Sequence, residues 1–202
     1  MNTRQALSLT VIAFSLTLLT GCQTLPPVDF GLGSVGVSQK KIDADLKTIS
    51  VQVAPKNKQR GEVDVQMLES AGTQASSGQA IISAWQTSLQ DALARMAVFN
   101  DNSTRKLSLS VAILKLDIPS MGINFETETI AKYELIDRSN GDIIYTSDVA
   151  AKGSVSGSEA FLGVIRARAA ASNSVRENIK QFLRELETVD VSKPMFPAKA
   201  AQ

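Results

Sequence analysis

The sequence predicts an α+β fold: a two-layer sandwich with two helices on one face of a mostly antiparallel four-stranded sheet, in the order β-α-β-β-β-α. Three observations carry this. Apolar and polar residues alternate with a period of two in four stretches, as half-buried strands require. Apolar residues recur at spacings of three and four in two longer stretches, as amphipathic helices require. Two apolar stripes and one apolar sheet face are buried together when both helices lie on the same side of the sheet. No internal repeat is evident.

The first strand is Leu46–Pro55, where Lys47, Ile49, Val51 and Val53 alternate with Thr48, Ser50 and Gln52 until proline ends the run. A charged loop, KNKQRGE, follows, then a short extended segment at Val63–Leu68 and a polar loop at Ser70–Gly78. The first helix has Ser77 as its cap and a stripe of Ile81, Trp85, Leu89, Ala92, Leu93 and Met96. Asn100–Thr104 stops it. In the second strand, Leu107, Leu109, Val111 and Ile113 alternate with Ser108, Ser110 and Ala112, and IPSMG breaks it. The third strand places Thr127, Thr129, Ala131, Tyr133 and Leu135 on one face. Glu126, Glu128, Lys132 and Glu134, with Ile130 and Ile136, lie on the other. RSNG turns the chain into the fourth strand, because Asn-Gly adopts positive φ at little cost. The last helix opens with Ser156-x-x-Glu159, the spacing of a capping box. Its stripe is Phe161, Val164/Ile165, Ala169, Ser172, Val175, Ile179, Phe182/Leu183 and Leu186.

The N-terminus reads as a secretory leader. Arg4 is followed by an apolar run, Ala6–Thr20, which at 15 residues falls short of the ~20 needed to span a bilayer. The run ends in Leu19-Thr20-Gly21-Cys22, which resembles the bacterial lipobox, Leu-x-Gly/Ala-Cys, at every specified position. That resemblance implies cleavage before Cys22 and acylation of its thiol, which as thiolate is the nucleophile for thioether formation. Two or more acyl chains anchor a protein firmly. Gln23, where aspartate would signal retention in the inner membrane, implies sorting to the outer membrane. The expected division is leader 1–21, lipidated flexible tether 22–41, periplasmic α+β domain 42–190 and disordered tail 191–202. Phe30, Leu32, Val35 and Val37 within the tether could rest on the membrane or on the domain.

Composition narrows the chemistry. Arg4 is the one charged residue of the leader; removing it leaves 20 of the 21 basic residues, against 20 acidic ones. Such a balance argues against a nucleic-acid binder, which would carry a basic excess. Cys22 is the only cysteine, so once it is acylated no disulfide can form and the core must hold the fold. There is no histidine, which removes Ser-His-Asp and Cys-His catalysis and His-ligated zinc.

The remaining motifs are weak. Ser103-x-x-Lys106 matches a penicillin-binding motif but precedes a strand instead of opening a helix. GSVSG, Gly153–Gly157, lacks the central serine of a nucleophile elbow and reads as a turn and helix cap. Asp43 and Asp45 are too few carboxylates for a cation site. Glu126 and Glu128, about 7 Å apart along one strand face, form a carboxylate pair without an evident cleft. Lys56, Lys58 and Arg60 share one loop and are the candidate anion-binding residues, suited to lipid or lipopolysaccharide phosphates. Arg166 and Arg168 point to different sides of the last helix, and Trp85, Tyr133 and Tyr145 read as core. No metal or cofactor is expected.

The stretch AKYELIDRSNGDIIYTSDVAAKG, Ala131–Gly153, and the helix RARAAASNSVRENIKQFLREL are similar to those of a broad group of envelope lipoproteins. The group includes the lipopolysaccharide-transport plug lipoproteins, the auxiliary lipoproteins of lipid-transport ABC systems, and the N-terminal domain of the curli-secretion lipoprotein. The resemblance spans about residues 44–187 and transfers no functional residue. It implies a non-enzymatic lipoprotein on the periplasmic face of the outer membrane, binding an envelope protein or a lipid. An enzyme acting on envelope glycan or lipid, and a purely structural lipoprotein, are the alternatives. An open sheet face and a free edge strand are expected places for a partner to dock.

Overall fold

The structure, a computed structural model, describes residues 28–64, 78–118, 124–158 and 163–198. Its elements are β1 (Asp45–Val53), a 3-10 turn (Lys56–Lys58), α1 (Gln79–Met96), β2 (Lys106–Asp117), β3 (Phe125–Asp137), β4 (Ile143–Val155) and α2 (Gly163–Leu186). They follow the expected order. The four strands form one sheet in the order β1-β2-β3-β4. β1 runs parallel to β2, and the other two pairings are antiparallel.

The alternation that predicted the strands is the alternation that buries them. Leu107, Leu109, Val111 and Ile113 of β2 and Thr127, Thr129, Ala131, Tyr133 and Leu135 of β3 are all buried. Their intervening neighbours are exposed or partly so. The β3–β4 connection closes at Gly141, whose φ of 81° suits the residue that allows it. All six residues of the α1 stripe are buried.

The α2 stripe departs from expectation in its first half. Ala167, Ala170, Ala171 and Ser174 face the core there, whereas Val164 and Ile165 are each 40% exposed. The cause is a close crossing. A Cβ on Gly153 of β4 would overlap the Ser174 amide and the Ala170 carbonyl, so only small residues fit where helix and strand meet. Gly153–Val155, expected in a turn and cap, are the last residues of β4.

Two further expectations are corrected. Residues 28–41, expected to belong to a flexible tether, pack on the domain, and Phe30 and Leu32 belong to its core. The tail, expected to be disordered from residue 191, runs along β4 as far as it is described: Phe196 exchanges backbone hydrogen bonds with Ile143 at 2.9 and 3.0 Å. Residues 199–202 and the caps Ser77 and Glu159 lie outside the described residues, as does 65–68 of the expected extended segment. Gly78, with φ 87°, stands at the N-cap of α1.

The N-terminal segment has a definite place. α1 and α2 barely touch. Residues 29–38 lie between them, with the Phe30 ring edge-on to Trp85 of α1 at 6.1 Å between centroids. Arg176 of α2 donates to the carbonyls of Asp29 and Gly31 at 3.0 and 3.2 Å. Arg95 of α1 donates to the Leu32 carbonyl at 2.8 Å, and the Ser38 hydroxyl reaches Glu187 at 2.9 Å. The helix layer therefore has three members: α1, this extended strap and α2.

Candidate functional site

Cys22 and Gln23 lie outside the described residues. The described body holds the loop with Lys56, Lys58 and Arg60, the outer sheet face, two polar clusters and the edge of β1.

The basic loop does not gather its three cations. Lys56 and Lys58 are exposed on the 3-10 turn, whereas Arg60 is ion-paired with Asp148 of β4. The backbone after the turn pairs with β2 beyond the end of β1, the Arg60 N–H donating to the Leu114 carbonyl and the Leu116 N–H to the Glu62 carbonyl, both at 2.9 Å, and a Cβ on Gly61 would touch the Lys115 side chain. Sequence spacing could not reveal this, because Asp148 is 88 residues away from Arg60 in the chain.

The outer face is a lattice of ion pairs. Lys115 holds Glu128 at 2.6 Å, and Lys152 holds Glu126 at 2.7 Å. The hydrogen bond from Lys115 keeps the Glu128 carboxyl below its usual pKa. That is the opposite of what a general acid needs. The two carboxylates are thus paired with separate lysines and do not face one shared pocket.

The other weak motifs resolve as structure. The Ser103 hydroxyl donates to the Asp43 carbonyl at 3.1 Å, and Lys106 donates to Asp45 and to the Ser103 carbonyl at 2.8 and 2.6 Å. Lys106 and Lys47 together lower the Asp45 pKa. Asp43 accepts from Asn100 at 3.0 Å. Among the described residues, no three His, Cys, Asp or Glu side chains are grouped to hold a metal.

At the end of the sheet formed by the starts of β1 and β2 and the β3–β4 turn, Thr104, Arg105, Lys106, Arg138 and Asn140 line a cleft of about 460 Å³. Asp137 stands in it. Burial pushes its carboxyl up, but Ser139 and Arg105 outweigh that and hold it below the usual range. Arg105 bridges Asp137 at 2.7 Å and the Val191 carbonyl at 2.5 Å, so the cleft also clamps the C-terminal segment.

A buried polar seam joins β3 to α2. The Tyr133 hydroxyl donates to Asn178 at 2.8 Å, Asn178 donates to the Val149 carbonyl at 2.7 Å, and the hydroxyls of Thr129 and Ser174 are 2.6 Å apart. Burial raises the Tyr133 pKa, so this phenol stays a proton donor to Asn178 and does not ionise. Tyr133 also stacks on Phe182 at 4.1 Å. Trp85, Tyr133 and Tyr145 are core residues, as expected.

The remaining feature is the edge of β1. Its one strand partner is β2, so among the described residues no strand pairs with its other edge. Beside it runs a groove of about 340 Å³ with Leu46, Ile49, Leu93, Ala94 and Phe99 on its apolar walls and Gln90 and Asp101 at its rim. A free strand edge next to an apolar groove is the geometry that receives an added strand: the edge supplies backbone hydrogen bonds, and the groove takes alternate side chains.

No family model matches the chain, and no curated protein matches it in sequence. Solved structures do match in fold. The Xanthomonas campestris protein XCC0632, of the family model DUF330, aligns with TM-score 0.52 and 8% identity over 78% of this chain and 93% of its own. The hypothetical protein CT253 of Chlamydia trachomatis aligns at TM-score 0.43 and 9% identity, over 77% and 98% of the two chains. A minor lipoprotein of Acinetobacter baumannii aligns at 0.42 and 11%, over 70% and 93%. At such identities the likeness is one of fold: this chain shares the α+β architecture of XCC0632 over nearly all of that protein's length.

Proposed function

We propose that this chain is a lipoprotein anchored to the periplasmic face of the outer membrane, and that its folded body binds a partner of the envelope transport or assembly machinery without catalysing a reaction. The observation that carries the anchor is Leu19-Thr20-Gly21-Cys22 at the end of an apolar run too short to span. Among the described residues, no helix is long and apolar enough to cross a membrane. The observation that favours binding is the β1 edge, which no strand among the described residues pairs with, and the apolar groove beside it.

The reading has two separable tests. Mass spectrometry of the mature protein should find Cys22 acylated and N-terminal, and Cys22→Ala should release the body from the membrane fraction. A photo-crosslinker at Thr48 on the β1 edge should trap an envelope protein in intact cells. Ile49→Pro, which removes an N–H that points away from β2 (the Ala54 N–H, on the other set of alternate residues, is the one that donates to Ile113 of β2), should abolish that adduct while the protein stays folded. An unaltered adduct with Ile49→Pro would place the partner elsewhere. Adducts confined to lipopolysaccharide or phospholipid would make the ligand a lipid.

A further inference from the structure

The packed strap shortens the tether. From Cys22 to Val28, the first described residue, there are six residue steps, which span at most about 20 Å fully extended. If Cys22 is acylated, the folded body is held within that distance of the lipid.

The direction of the strap favours one end of the body. It runs alongside α2 in the same direction, from Asp29 and Gly31 at Arg176 to Ser38 at Glu187. The Asp29 end of the described strap therefore lies nearer the beginning of α2 than its Ser38 end does. Ile165 lies eleven residues before Arg176, three helical turns and about 16 Å along the axis, on the same helix face. There Val164 and Ile165 are 40% exposed, two of five exposed large apolar side chains among the described residues. The sheet side of the same end carries Glu62, Asp64 and Asp117, close enough that their mutual repulsion adds to burial in raising the Asp64 pKa.

We propose that the first turn of α2, with Val164 and Ile165 at its surface, seats in the interfacial region of the membrane that holds the acylated N-terminus. The inference rests on the lipid-anchor reading of Cys22. Apolar side chains at an interface bury about 5–10 Å into the boundary between headgroup and acyl chain. Two such residues bind weakly alone, but the anchor keeps them permanently at the surface, so weak contacts suffice to orient the body.

Acylation consumes the only cysteine thiol, so one introduced cysteine labels one site. The full acylated protein carrying Ile165→Cys, tagged with an environment-sensitive fluorophore, is reconstituted in vesicles of phosphatidylethanolamine with a minority of phosphatidylglycerol. Asn140→Cys, in the turn between β3 and β4, serves as the distal site. The emission at 165 should shift to the blue and be quenched several-fold more by shallow nitroxide lipids than that at 140. Val164→Cys replaces Ile165→Cys if that variant misfolds. Protein that sediments with vesicles while its 165 label stays as wet as the 140 label overturns the docking and leaves the anchor standing. A 165 label already shielded without vesicles also overturns it, because the chain then covers the site itself. Absence of acyl chains on Cys22 overturns anchor and docking together.

Discussion

Ala97 ends α1 with φ 47° and ψ 39°, in the left-handed region where a Cβ is unfavourable. Glycine would relieve that strain, with part of the gain lost to the greater freedom of its unfolded chain. Ala97→Gly should therefore stabilise the protein by about 0.5–1 kcal/mol, read as a shifted urea midpoint at unchanged slope. Asp137 gives the opposite case. Its carboxylate is buried and holds Arg105 and Ser139. The Arg105 side chain is 31% exposed, so the penalty of a broken pair is screened, and Asp137→Asn should cost about 1–3 kcal/mol at neutral pH. Because the folded-state pKa is depressed, the stabilisation is full above the ordinary carboxylate pKa and disappears as pH falls through the lower folded value. The wild type should thus lose stability below about pH 4, and the gap to Asp137→Asn should narrow there. A difference between the two that does not change from neutral to acid pH would show that this carboxylate is not the titrating partner. Neither residue was visible as special beforehand: left-handed alanines have no sequence mark, and the Arg105–Asp137 pair joins residues 32 apart.

The helices show how far periodicity reaches. α1 buries the stripe its spacing announces, because large apolar side chains mark its inner face without competition. On the first half of α2 the large residues Val164 and Ile165 draw the reading to the wrong side, while the inner face there is built from Ala167, Ala170, Ala171 and Ser174; in the second half Val175, Ile179, Phe182, Leu183 and Leu186 are buried as their spacing announces, joined by Asn178. Small residues there allow the helix backbone to approach Gly153, and Asn178 and Ser174 satisfy polar groups of β3 and β4. Hydropathy cannot distinguish such a face from solvent exposure, since each residue is neutral or polar alone. Gly153→Ala tests the crossing. Its methyl would meet helix backbone, which cannot swing aside as a side chain can, so α2 must lift from β4 at a cost of about 2–4 kcal/mol. Thermal and urea unfolding measure this, and a loss below about 0.5 kcal/mol would mean that the helix is not seated there.

The folded body is completed by segments that composition assigned to linker and tail. A glycine-rich, proline-flanked stretch looks solvated in sequence, and three glycines among its apolar residues hide any period. What gives it order is the gap between α1 and α2, which the two stripes alone leave unfilled and which Phe30 and Leu32 enter. The C-terminal segment does the same at the start of β4, pairing at Ile143 and capped by Arg105. Both contacts join residues far apart in the chain, beyond the reach of local pattern. If Cys22 is acylated as proposed, the consequence is mechanical: a strap wedged between helices would transmit the pull of the membrane to the core, where a loose tether would not. Phe30→Ala empties the central position, removing a fully buried ring against Trp85. It should destabilise the protein by about 3–5 kcal/mol. If the strap is integral to the fold, a single cooperative transition should shift as a unit in chemical denaturation. If it is merely laid on the surface, Phe30→Ala would leave the main transition in place, and proteolysis would release residues before Ile42 from an intact body.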